Sequence, residues 1–142
     1  MSHDTHHHHK ESFITKYIFS QDHKMIARQY LITAIFMGAI GIALSALFRL
    51  KLGWPDDKFP ILESILGSDA APDGLLDSNW YLGLVTLHGT IMVFFVLTGG
   101  LSGTFSNLLI PLQVGARDMA SGLLNMISYW LFFLSSVLMA SS

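Results

Sequence analysis

The chain has 142 residues, of which 51% are hydrophobic and only 13% charged, with a formal net charge of −2 and no cysteine. That charged fraction is about half that of an average soluble domain, and no basic patch rises above scattered lysines, so no nucleic-acid partner is expected. The absence of cysteine excludes disulfides, thiolate metal sites and thiol redox motifs.

The charges gather before Arg28, between Arg49 and Asp77, and at Arg117 and Asp118. The stretches between them are nearly free of charge, which is the pattern of an all-α, polytopic membrane protein with three transmembrane helices. The His-rich opening, His6 to His9, could bind metal weakly, but a tag remnant or a disordered arm is the preferred reading, and it is set aside from the fold. Residues 1–28 form a polar segment that lacks the basic-then-apolar layout of a cleaved signal peptide, so the first apolar span is expected to remain in the mature protein.

The membrane domain is expected over 29–142, with helices near 29–50, 79–112 and 118–142. Tyr30 to Phe48 is an uncharged run, just long enough for the roughly 20 residues that cross the hydrocarbon core. Trp80 to Pro111 is longer, with His88 as its one ionisable residue. At 1.5 Å per residue it would extend roughly 48 Å, so it must tilt or project beyond the bilayer. Met119 to Ser142 is a third run without charge. Between the first two spans, Pro55, Pro60, Pro72 and several glycines and aspartates predict external irregular structure.

Lys10, Lys16, Lys24 and Arg28 precede the first span, and Arg117 lies in the second turn, whereas the 51–78 loop carries six acids against two lysines (Asp56, Asp57, Glu63, Asp69, Asp73 and Asp77). Lysine and arginine favour the cytoplasmic side, which places the N-terminus and the 113–118 turn inside. Arg49 and Lys51 run against this bias, but at a helix end they can snorkel or serve a ligand.

Chemistry-bearing residues are few. His88 lies about 12 Å along its helix from Trp80. An imidazole within a membrane is costly and faces a partner; it is equally a metal or haem ligand or a histidine bonded to a neighbouring helix. Asp118, at the start of the third span, fits a helix-dipole role. Asn125 and then Ser128 follow on the same face, and Asn107 could meet them across the turn, an arrangement that suits either ordered water for a proton path or interhelical hydrogen bonds. Gly38, Gly41, Gly99, Gly100 and Gly103 permit close helix approach or leave room for a flat ligand, and Trp80 and Tyr81 suit an interfacial aromatic belt.

From Asp22 to the last residue the motifs resemble subunit I of the haem-copper oxidases, of the proton-pumping cytochrome c oxidase type. Asp22-His23-Lys24 followed by Tyr30 is similar to that family's first helix entry, and Leu44-Ser45 through Arg49 and Leu52-Gly53 to the end of that helix. His88-Gly89-Thr90-Ile91-Met92-Val93-Phe94-Phe95 resembles the low-spin haem-ligand motif. Phe105-Ser106-Asn107 to Leu112, Gly115 to Ala120, Asn125 and Ser128-Tyr129-Trp130 resemble the signature across the second turn, at the family's spacing and without a gap.

The resemblance implies the start of a roughly twelve-helix bundle that reduces oxygen to water with electrons from cytochrome c, coupled to proton pumping. His88 would be an axial ligand to the iron of a low-spin haem, haem a. Arg49 would point at a haem edge substituent, Ser45 and Tyr81 would line the haem, and Gly38 would leave room for it. Asp118 would be the mouth of a proton-uptake channel whose water chain is held by Asn107, Asn125, Ser128 and Tyr30. No catalytic residue is expected in these residues: the high-spin haem and copper belong to the part of the subunit not represented here, so the chain would be a portion of the whole. Partners implied are other oxidase subunits, cytochrome c or a membrane-bound cytochrome, oxygen and the lipid of an energy-transducing membrane, the bacterial inner membrane.

Some positions depart from the family pattern. Arg117 stands where proline often precedes the channel aspartate, Ser121-Gly122-Leu123 replaces Phe-Pro-Arg, and Thr104 and Ser106 alter the glycine-rich run. A cation beside a carboxylate favours its ionised form. Alternative readings are a quinol oxidase subunit I, a non-catalytic membrane subunit of a respiratory complex, or a small transporter.

Overall fold

The computed structural model describes residues 12–116 and 121–142. The described residues are helical, and three helices among them are long and apolar enough to cross a membrane: His23–Gly53, Ser78–Gln113 and Gly122–Ser141. A short α1 (Phe13–Tyr17) precedes the first of these, α2 (His23–Gly53). The Asp22 carboxylate accepts from the Lys24 N–H and caps α2.

The segment expected to be irregular instead contains α3 (Pro60–Leu66) and a 3₁₀ turn (Pro72–Gly74). The reason is a small core of its own, since Leu62, Ala70, Ala71 and Leu76 are all buried. Phe59 N–H donates to Gly74 O at 3.0 Å, and Asp77 N–H to Ala70 O at 3.0 Å, closing the segment on itself. Gly74 has φ +78°, and a Cβ there would lie 2.8 Å from the Phe59 carbonyl carbon. Gly74→Ala combines left-handed strain with a backbone clash, and is expected to cost about 1–3 kcal/mol locally. Limited proteolysis within 54–77 should detect it as faster cleavage.

The second span changes helix type twice. Asp77 caps α4 (Ser78–Thr90) by accepting from Asn79 N–H at 3.0 Å. The chain continues as a π-helix over Ile91–Leu101 and returns to α in α5 (Ser102–Gln113). Its buried positions are Leu84, Ile91 and Phe95, then Gly100, Thr104, Asn107 and Pro111. Steps of three or four separate them beyond Phe95 and Gly100, with one step of seven between Leu84 and Ile91. The step from Phe95 to Gly100 is five residues, one turn of i→i+5 bonding. The π segment therefore moves the inward face forward by one position.

Just past the end of α5 stands Gly115, whose φ is +71°. Ala116 N–H donates to Pro111 O at 2.9 Å and Gly115 N–H to Leu112 O at 3.4 Å. This paired closure is a Schellman cap, and it needs the glycine. Helix α6 (Gly122–Ser141) then begins with Ser121 accepting from Leu124 N–H at 3.4 Å.

Small residues set how closely the spans approach. A Cβ on Gly100 would collide with Ala34 of α2, one on Gly103 would lie 2.6 Å from the Tyr30 ring, and one on Gly99 would strike Phe132 of α6. Two clusters result, one of Ile26, Tyr30 and Tyr129, the other of Met37, Ile91 and Phe95, and Phe132 packs against both. Most large apolar side chains on the outer faces, among them Phe36, Phe94 and Leu131, stay exposed. Exposure of this kind suits lipid as solvent.

Candidate functional site: a histidine on α4 and a polar string between helices

His88 sits in the last turn of α4, and its Nδ1 lies 2.7 Å from Gly41 O of α2. A carbonyl only accepts, so Nδ1 carries the proton and Nε2 keeps its lone pair. A backbone carbonyl behind a histidine is the usual device for fixing the tautomer and orientation of a metal-binding imidazole. Phe48 meets the His88 ring edge-on at 5.5 Å between centroids and the Tyr81 ring at 6.2 Å. Met92 packs close against Gly41, its Sδ 2.6 Å from where a Cβ there would be.

The α2 residues expected on this side share one face, because Gly38, Gly41, Ser45 and Arg49 recur at helical spacing. Ser45 is buried, Gly38 is partly buried with Val96 Cγ2 3.7 Å from where its Cβ would be, and Arg49 is exposed. The structure thus brings His88, Tyr81 and the α2 face together through Phe48 and Gly41, and it records no direct bond from His88 to Ser45 or Arg49. Neither Phe48 nor the Gly41 carbonyl was singled out from sequence as a partner of His88. Phe48 lies seven residues after Gly41 on the same α2 face, a signal that was there to read; a backbone acceptor leaves no such signal.

The donor set fits a haem on one side: a single imidazole whose Nδ1 is bonded to a carbonyl, with the Phe48 ring beside it. Among the described residues no group of three or more His, Cys, Asp or Glu is placed to hold a metal ion.

The second group lies between the other ends of the helices. Tyr30 Oη is 3.0 Å from Ser128 Oγ, and Ser128 Oγ donates to Asn125 O at 2.7 Å. Asn125 Nδ2 donates to Asn107 Oδ1, and Asn107 Nδ2 donates to Gly103 O at 2.7 Å. Four of the five expected channel residues therefore form one string through α2, α5 and α6. The fifth, Asp118, lies outside the described residues. A second polar contact, unforeseen from sequence, joins Thr33 Oγ1 to Tyr129 Oη at 3.0 Å beside the string. An apolar groove of about 510 Å³ opens next to it, lined by Phe36, Met37, Phe133 and Ser136 among others.

The profile of the family described as Cytochrome C and Quinol oxidase polypeptide I matches residues 25–142. The chain belongs to this family. It is 42% identical over 134 residues to the alternative cytochrome c oxidase subunit 1 of Bradyrhizobium diazoefficiens, covering 94% of this chain and 20% of that protein. Cytochrome c oxidase subunit 1 of Cereibacter sphaeroides is 31% identical over 150 residues, covering 96% and 26%. A Staphylococcus aureus protein named "Probable quinol oxidase subunit 1" is 36% identical over 128 residues, covering 87% and 17%. The chain thus spans about a sixth to a quarter of the length of these subunit I relatives. Haem and copper are the general cofactors of the family, and the setting is an integral membrane one.

Proposed function

We propose that this chain is the N-terminal part of the catalytic subunit of a terminal respiratory oxidase that takes electrons from cytochrome c, reduces oxygen to water and pumps protons. The observation that carries the reading is the His88 Nδ1 to Gly41 O contact of 2.7 Å in a chain of this family. A low-spin haem, haem a, would be held by His88 through Nε2 and would supply a one-electron store there. Gly41 O orients the His88 imidazole, Phe48 packs on its ring with Tyr81 behind Phe48, and Ser45, Gly38 and Arg49 line the adjacent α2 face.

Asp118 gathers protons, and the string from Asn107 through Asn125 and Ser128 to Tyr30 orders the water that carries them inward. An amide does not take up a proton near neutral pH, so the Asn107–Asn125 contact parts to admit water at each passage. The lysines and Arg28 at this end make it cytoplasmic, so uptake is from inside.

Cytochrome c is proposed as donor from the name of the 42% identical relative, while the 36% identical one is named for quinol. A reduced-minus-oxidised visible spectrum of the membrane complex containing this polypeptide, followed by oxygen uptake with each donor, tests both levels. A low-spin haem band with uptake driven by reduced cytochrome c is expected. Uptake with quinol alone changes the donor, whereas absence of any haem band ends the oxidase reading.

A further inference from the structure

The segment before α2 does not project into water. Gln29 Nε2 donates to Tyr17 O at 2.7 Å and Ile18 O at 3.0 Å, tying the end of α1 to the side of α2. Phe19 stacks on Trp130 of α6 at 5.4 Å, and Gln21 O lies 3.0 Å from where a Cβ on Gly122 would be. Gln29 directly precedes Tyr30, where the uncharged run begins. Residues 17–19 are therefore held against α2 and α6, beside the start of the uncharged run.

The outer surface of this segment is apolar and aromatic: Phe13 is 70% exposed, Ile14 53%, Phe19 52% and Tyr17 38%. Phe13 and Tyr17 pair at 4.7 Å, one turn apart, and Lys16 Nζ reaches over the Tyr17 ring at 5.5 Å. Lys24 and Arg28, both exposed and one turn apart in the first turns of α2, add two more cations. Asp22 is the one acid between residues 12 and 48, and it caps α2. Leu31, Ile32 and Ile35, early in α2, are exposed as well. Aromatic rings with cations beside them, at the edge of an apolar belt, are the chemistry that engages an acidic phospholipid.

We propose that residues 13–19, with Lys24 and Arg28, form an interfacial anchor for anionic lipid. Phe13, Ile14 and Tyr17 enter the upper acyl region, and Lys16, Lys24 and Arg28 take the phosphate groups. The anchor fixes the height of α2 and α6 in the bilayer. It stands whichever electron donor the enzyme uses.

The chain has no cysteine, so Phe13→Cys at an exposed position gives a site for a bimane label, with the signal of the unsubstituted complex subtracted. The labelled membrane complex is placed in phosphatidylcholine nanodiscs with and without phosphatidylglycerol. Expected are blue-shifted emission, quenching by lipid spin-labelled near the headgroup end of its acyl chain, and enrichment of phosphatidylglycerol around the complex. Lys16→Gln, Lys24→Gln and Arg28→Gln together should reduce that enrichment, on the order of fivefold per charge removed. Water-like emission in both lipids overturns the anchor. Blue emission without spin-label quenching overturns it too, because protein then covers the patch, and so does enrichment that the triple variant leaves unchanged.

Discussion

His88→Ala should abolish the low-spin haem band of the membrane complex and lower oxygen uptake by about 100-fold or more. Losing an outer-shell partner of a metal ligand already costs about 10–100-fold, and here the ligand itself is removed. The variant should still insert and assemble, because the contacts that set the spans together run through Gly100, Gly103, Tyr30 and Phe132. The local penalty is small, because the Gly41 carbonyl lies inside α2 and keeps its helical backbone bond. Added imidazole can enter the space left behind and bond to Gly41 O as the native ring does, so partial return of the band is expected. An unchanged spectrum in His88→Ala would remove the ligand assignment. A band that persists but shifts would place His88 beside the haem instead of on its iron.

The all-helical membrane architecture was open to reading because charge marks it. Arg28 and Arg49 bracket the uncharged core of α2, and Asp22 and Asp77 stand at the caps of α2 and α4. His88 was conspicuous as the ionisable residue of its span, and Tyr30, Asn107, Asn125 and Ser128 as polar groups among apolar ones. What supports them was harder to see. Gly41 contributes a backbone oxygen, which no side chain announces. Leu62, Ala70, Ala71 and Leu76 make a core too short for any periodicity to show. The π segment is apolar on every side, so its sequence has no stripe from which a change of phase could be read. Asp118 is placed by the sequence alone.

The phase change leads to the second large effect, in a pair of variants that move the chain register in opposite directions. In a regular α-helix Gly100 would point about 140° away from Phe95, yet both face inward here. One inserted alanine between Thr98 and Gly99 turns α5 by about a further 100°. That carries Asn107 off Asn125 and brings side chains where Gly103 now receives the Tyr30 ring. Lost interhelical bonding of about 0.6–2 kcal/mol adds to overpacking of about 1–3 kcal/mol. Assembly should fall, and proton uptake in whatever assembles should drop by about tenfold or more. Deleting Leu97, which is exposed, does the reverse. Phe95 and Gly100 become four apart, the segment can wind as ordinary α-helix, and both His88 and Asn107 keep their faces. The deletion should retain the haem band and near-parental proton uptake, measured by reduced-minus-oxidised spectra and stopped-flow pH changes. If it damages the complex as much as the insertion does, the π segment serves something other than register. If it is tolerated, the π segment is an insertion accommodated between the ends of the span, and the phase between His88 and Asn107 is the quantity the fold maintains.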